Sequence, residues 1–268
     1  MKQRSSATKF AVVTGASSGI GFELARQFAQ HNFELLIAAE DDGIAEAGRR
    51  LEEFGMPVET LQVDLAQFSG VEKLFARIKS AGRPVDAIAI NAGVGVGGDF
   101  TRQTDLEAEL NLISLNVVSP VHLAKRILPD MVRRGEGRIL FTASVVSTMP
   151  APFLAVYGAS KAFVLSFSEA IRNELKDTGV TVTALMPGAT ETNFFHRAGM
   201  DDTKVGVGKK DDPAEVAKQG FEALMSGEEK VVAGSMMNKV QTVAGNVIPD
   251  SVKAELHRKQ AEPGSADR

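Results

Sequence analysis

Residues 10–28, FAVVTGASSGIGFELARQF, run from a short apolar stretch through three glycines into a helical pattern. The apolar stretch does not alternate with polar residues, which predicts a strand buried on both faces. Working outward, the same unit recurs. FAVVTG (10–15), ELLIAA (34–39), VETLQVD (58–64), AIAINAG (87–93), GRILFTAS (137–144), VTVTALMPG (180–188) and KVVAG (230–234) read as strands, with helical patterns between them. Regular alternation of strand and helix predicts an α/β fold, a doubly wound and mostly parallel sheet of about seven strands with helices on both faces. No break in composition divides the chain. We therefore expect one domain over residues 9–262, with small, polar and mobile tails at 1–8 and 263–268.

Composition narrows the function. The 268 residues are 44% hydrophobic and 24% charged, ordinary soluble globular material. A formal net charge of −4 without a Lys/Arg cluster argues against a nucleic-acid partner. Cysteine is absent, which removes disulfides and thiolate metal sites and suits a cytoplasmic protein. The four histidines, His31, His122, His196 and His257, lack metal-ligand spacing, so no metal is expected. The uncharged stretch 139–160 contains two prolines and many hydroxyls, which suit a buried strand and loop better than a membrane span.

Two local patterns carry chemistry. Gly15 suits the tight turn off the first strand, Gly19 lets backbone approach a pyrophosphate, and Gly21 lets the helix pack against the sheet. The helix start that follows binds anions through free N–H groups and its dipole. Tyr157, the only tyrosine, stands four residues before Lys161 in VYGASKAFVLSFSEAIRNEL (156–175), so on a helix the two side chains are neighbours. Alone, the pair also reads as a buried aromatic with a lysine snorkelling past it.

These motifs together resemble the short-chain dehydrogenase/reductase family. The likeness covers roughly residues 9–192: Thr14-Gly15-x-x-x-Gly19-x-Gly21, Asp64, Asn91-Ala92-Gly93, Asn116, Ser144, Tyr157, Lys161 and Pro187-Gly188 follow in the family's order. The resemblance implies hydride transfer between a nicotinamide cofactor and a secondary alcohol or ketone. Tyr157 would be the general acid/base, Lys161 its electrostatic partner, and Ser144 a hydrogen bond to the same substrate oxygen, while Asn116 would bend its helix and complete a proton path. A tyrosine with pKa about 10 needs about 4 kcal/mol to fall by three units, roughly what one ammonium about 4 Å away supplies at an effective dielectric near 20. The cofactor would be lined by Thr14, Gly15, Ser17, Ser18, Gly19, Ile20, Gly21, Asp64, Leu65, Asn91, Ala92, Gly93, Tyr157, Lys161, Pro187, Gly188, Thr190 and Thr192.

Cofactor choice turns on LLIAAEDDG (35–43). A carboxylate at this point accepts a ribose 2′-hydroxyl, whereas a cation would accept a 2′-phosphate. Glu40 and Asp41 stand there without an arginine, so NAD is expected, with NADP as the alternative. The same acidic run also reads as a solvated helix start.

Residues 193–212 combine Phe194, Phe195 and Met200 with glycines and read either as a substrate lid or as a surface connection with buried anchors. Asp212 and Pro213 then open a helix. Val145, Val146, Pro150 and Phe153 predict an apolar pocket for an uncharged small-molecule alcohol or ketone. Three functions remain open: an NAD-dependent enzyme, the same enzyme with NADP, or a dinucleotide-sensing protein without catalysis. Phe163, Phe167, Leu106, Leu110 and Ile113, on helices expected near 157–176 and 104–133, offer an apolar face for a homodimer or homotetramer, or else cover the sheet within one chain.

Overall fold

The computed structural model describes residues 8–235 and 248–267. Of the expected N-terminal tail, all but Thr8 lies outside the described residues. Seven parallel strands form one sheet: β1 (Lys9–Thr14), β2 (Phe33–Ala39), β3 (Val58–Gln62), β4 (Ala87–Ile90), β5 (Gly137–Thr142), β6 (Val180–Pro187) and β7 (Lys230–Ala233). Their spatial order is β3-β2-β1-β4-β5-β6-β7. The order reverses between β1 and β4, so the crossovers leave in opposite directions and a crevice opens above the carboxyl ends of these strands.

Both sheet faces are covered, as the unbroken apolar strands predict. One core packs Val12, Leu36, Ile88, Ile139 and Phe141 against α3 (Phe68–Ser80) and α5 (Ser119–Arg134). The other packs Val13, Ile37 and Leu140 against α1 (Gly19–Gln30), α2 (Gly43–Glu52) and α9 (Pro213–Ser226). Phe28 centres that second core, edge-on to Phe33 and Phe221 at 5.1 Å each. Asp212 caps α9 by accepting 2.8 Å from the Ala214 N–H, and Pro213 takes the first helical position, where it costs no hydrogen bond.

The long helix expected near 104–133 is divided. Leu106–Ile113 is α4, Ser114–Val118 forms a wider π turn, and α5 follows. The cause lies within the turn: Asn116 accepts from Val94 N at 3.0 Å and donates to Val94 O at 2.9 Å, so its side chain is committed to the loop after β4. The neighbouring helix α6 spans Ala155–Glu174. Of the five apolar residues expected on the outer face, Leu106, Leu110, Ile113 and Phe163 are exposed, but Phe167 packs inward, edge-on to Phe141 at 5.7 Å.

Two short helices, α7 (Phe194–Arg197) and α8 (Lys204–Val207), follow β6, and α10 (Asp250–Ala261) closes the described chain. The expectation of a loose terminus at 263–268 is revised over the described residues. Ser265 is buried and accepts from Lys204 N at 3.0 Å, while Gly264 N and Ala266 N bond to Asp202. No helix among the described residues is long and apolar enough to cross a membrane.

Candidate active site

The carboxyl ends of β1, β4, β5 and β6 bring most of the expected residues to one crevice. Gly15 leaves β1 with φ +66°, a conformation that favours glycine, and its N–H donates 2.7 Å to Ala38 O. Gly21 answers a different need: a Cβ there would lie 2.0 Å from the Gly15 carbonyl oxygen and 2.5 Å from the Asn91 amide nitrogen. Helix α1 therefore starts directly against the turn, with Ser18 at its N-terminal boundary and Ile20 packed against the second core.

Asn91 organises the floor. Its Nδ2 donates to Thr14 O at 3.2 Å and Gly15 O at 3.4 Å, its Oδ1 accepts from Thr142 Oγ1 at 3.0 Å, and its N–H donates to Thr14 Oγ1 at 3.0 Å. Ala92 N also donates to Thr14 Oγ1, at 3.1 Å. Three strand tips are thereby fixed around one amide, which explains why β4 ends at Ile90 rather than at Gly93.

The next layer holds the titratable pair. Lys161 is only 5% exposed, and its ammonium donates 2.8 Å to the Thr142 carbonyl. Burial pulls its pKa down to about 8. Tyr157, one helical turn earlier, is pushed up to about 12 by burial, partly offset by a hydrogen bond with Ser144. This corrects the expectation that Lys161 by itself brings the phenol toward neutrality. The ammonium lies 5.7 Å from the centre of the tyrosine ring and is engaged by a carbonyl, while loss of water disfavours the phenolate.

Ser144 sits between these groups. Its hydroxyl accepts from Val146 N at 3.3 Å and reaches Pro187 O at 3.4 Å, at the start of the short 3-10 turn Val145–Thr148. Ser147 Oγ accepts from Ser144 N at 3.2 Å and donates to Lys161 O at 2.9 Å. Asn116 donates 3.1 Å to Ser160, whose hydroxyl bonds the Tyr157 carbonyl at 2.7 Å. A Cβ on Gly93 would come within 3.1 Å of Asn116 Oδ1 and 3.2 Å of the Lys161 ammonium, so both groups border the space in front of this glycine. Sequence reasoning missed Thr142, Ser147 and Ser160, because small hydroxyl residues and backbone carbonyls carry no signal of their own.

The remaining expected residues divide. Thr190 is buried with its hydroxyl on Gly188 O at 3.0 Å, and Thr192 accepts from Phe194 N at 3.3 Å. Asp64 is exposed and caps Ala66 N at 2.8 Å, whereas Leu65 turns its side chain into the core. Ser17 donates 2.8 Å to Asp41, tying the glycine turn to the acidic run after β2. Glu40 is paired with Arg197, an arginine 157 positions away that the sequence did not bring to this place.

An apolar wall faces the pair. Ala151, Leu154, Phe195 and Met200 are buried together, with Val146, Phe153 and Phe194 packed on them. Val145 is half-buried, but Pro150 is exposed and falls outside this group. Phe194 covers Tyr157 at 5.0 Å between ring centres.

A family model described as short chain dehydrogenase matches residues 9–203. An uncharacterized oxidoreductase of Staphylococcus saprophyticus is 32% identical over 218 residues, 81% of this chain and 91% of that protein. A solved short-chain dehydrogenase from Sphingobium yanoikuyae in complex with NADPH superposes with a TM-score of 0.79 at 30% identity, covering 91% of this chain and 97% of its own. A bulky-bulky ketone specific alcohol dehydrogenase from Comamonas testosteroni gives a TM-score of 0.75 at 25% identity, covering 91% and 96%.

The hydrogen bonds of Asn91 make a checkable demand. Asn91→Ala leaves Thr142 Oγ1 and the turn carbonyls without their partner, and we expect a loss of about 1–3 kcal/mol in denaturant unfolding. Unchanged stability would mean that the three strand tips do not depend on this amide.

Proposed function

The chain belongs to the short-chain dehydrogenase/reductase family and is an NAD(P)-dependent oxidoreductase, and from that premise we propose that it interconverts an uncharged, mostly apolar ketone and its secondary alcohol. The observation that carries this reading is the convergence of Ser144, Tyr157 and Lys161 beneath an apolar wall. Residues 9–262 act as one catalytic unit, in a cytoplasmic setting that a cysteine-free chain suits.

The crevice fits a dinucleotide. The glycine turn presents backbone rather than side chain to the start of α1, where an anionic diphosphate is stabilised without a cation. Thr14, Gly15, Ser17, Ser18, Gly19, Ile20 and Gly21 would hold that part, Glu40 and Asp64 the adenosine side, and Asn91 to Gly93 with Pro187 to Thr192 the nicotinamide side. Leu65 and Ala92 would contribute through backbone. When bound, the cofactor supplies or accepts the hydride.

The protein's own task is the proton. In ketone reduction Tyr157, protonated throughout the neutral range, donates to the developing alkoxide while Ser144 hydrogen-bonds the same oxygen. Lys161 stabilises the tyrosinate that this leaves, and Asn116 with Ser160 holds the helix that carries both residues. Residues 193–212 serve as the lid, since Phe194 rests on Tyr157 and must yield to a substrate. A dinucleotide sensor would have no use for this proton relay.

Leu106, Leu110, Ile113 and Phe163, beside a shallow apolar depression of about 440 Å³ at Phe100, Val117 and Val156, form the surface we assign to a second copy of the chain. Contact between two copies of one patch closes a dimer, and a further patch extends it to a tetramer.

Three measurements follow. Tyr157→Phe keeps the ring but removes the proton, so we expect turnover to fall roughly 10²–10⁴-fold with the fold intact. Near-normal turnover in a folded variant would remove the tyrosine from the reaction. Because the charged form of Lys161 is lost above about 8, kcat/KM for ketone reduction should decline as pH rises through that value, and Lys161→Arg should move the decline upward. A flat profile between neutrality and mild alkali would deny the ammonium this role. Sedimentation at micromolar protein should show at least a dimer, against the 28.5 kDa of one chain.

A further inference from the structure

The ion pair between Arg197 and Glu40 joins two distant parts of the sheet. Glu40 follows β2 and Arg197 ends the short helix after β6, with β1, β4 and β5 between those strands. At about 4.8 Å per strand the link crosses four spacings, roughly 19 Å. All strands are parallel, so it runs above the carboxyl ends of β1, β4 and β5, where the glycine turn, Asn91 and Ser144 lie. The segment before Arg197 leans the same way: a Cβ on Gly19 would meet the Thr192 methyl group at 2.9 Å. Arg197 therefore reaches across the crevice from its substrate side to its adenosine side.

We propose that Arg197 is a cofactor-specificity residue, carried in from the segment after β6, that supplies the cation for a ribose 2′-phosphate. This rests on the dinucleotide reading above. A carboxylate at the end of β2 suits a ribose hydroxyl and repels a phosphate, whereas an arginine there accepts one. Here the carboxylate is neutralised by the arginine, and both groups remain about half exposed, at 51% and 41% of their side chains. A pair so open to water is weak and readily exchanged. A phosphate monoester carries up to about two negative charges near neutral pH and presents oxygens that match the guanidinium fork, so it is the stronger partner. Arg197 then passes from Glu40 to the phosphate. With NAD the pair stays closed, and Glu40 remains at the unmodified ribose.

The test is direct binding, read as enhancement of dinucleotide fluorescence on titration with protein, without turnover. Arg197→Ala should weaken NADPH by about ten- to a hundred-fold, the loss expected of one charge-assisted contact, and change NADH by less than about three-fold. Arg197→Lys should recover part of the loss, and Glu40→Gln should strengthen NADPH by freeing the arginine. Equal weakening of both cofactors by Arg197→Ala would overturn the proposal in favour of a shared diphosphate or structural contact. No change in either would reduce the pair to a surface ion pair and overturn it equally. Wild-type protein that binds neither cofactor would instead overturn the dinucleotide reading, so the two failures are distinct.

Discussion

A single side-chain amide fixes the geometry on which the crevice depends. Asn91 donates to the carbonyls of Thr14 and Gly15 and accepts from the Thr142 hydroxyl, so the tips of β1, β4 and β5 are held in one arrangement. The carbonyl of that same Thr142 then holds the Lys161 ammonium. The strand tips and the buried charge are thus joined by one chain of hydrogen bonds. The absence of a side chain at Gly21 belongs to this constraint, since the amide nitrogen occupies the space a Cβ would need.

The buried pair shows how desolvation and charge compete. Lys161 loses proton affinity on burial, and Tyr157 gains it, so both shifts favour the neutral forms. The attraction between ammonium and phenolate can act only when the phenolate forms, which makes it a contribution that grows during proton transfer instead of one present at rest. An environment that keeps the phenol protonated and then stabilises its anion is suited to giving a proton up and taking it back. Burial of the pair has no signature in the sequence, and only the folded chain reveals it.

Much of the fold was legible because its signals are periodic. Continuous apolar runs, each followed by a helical pattern, predicted seven parallel strands, and seven are present in a doubly wound order. The expected ends overshot where the chain turns from sheet to site: residues 91–93 and 143–144 extend the strand pattern but leave the sheet to make side-chain and cap bonds. Helical spacing leaves Phe167 open to an outward or an inward place, and the structure takes the inward one, against Phe141. Among the expected site residues, Tyr157, Lys161 and Ser144, named through the family resemblance, do lie together in the fold. Arg197 was not legible, because its place at Glu40 follows from the strand order and from a one-turn helix rather than from any local pattern.

That one-turn helix joins the two ends of the crevice. Phe194 at its start covers Tyr157, and Arg197 at its end reaches Glu40. A helix of four residues has too few internal bonds to persist alone, so its position is set by what it touches. Phe195, Ala198 and Met200 anchor it in the apolar wall, and Gly97 N donates 2.9 Å to Ala198 O. Phe194 and Arg197 thus sit on one short turn, so the contacts at the two ends of the crevice share a single anchored segment.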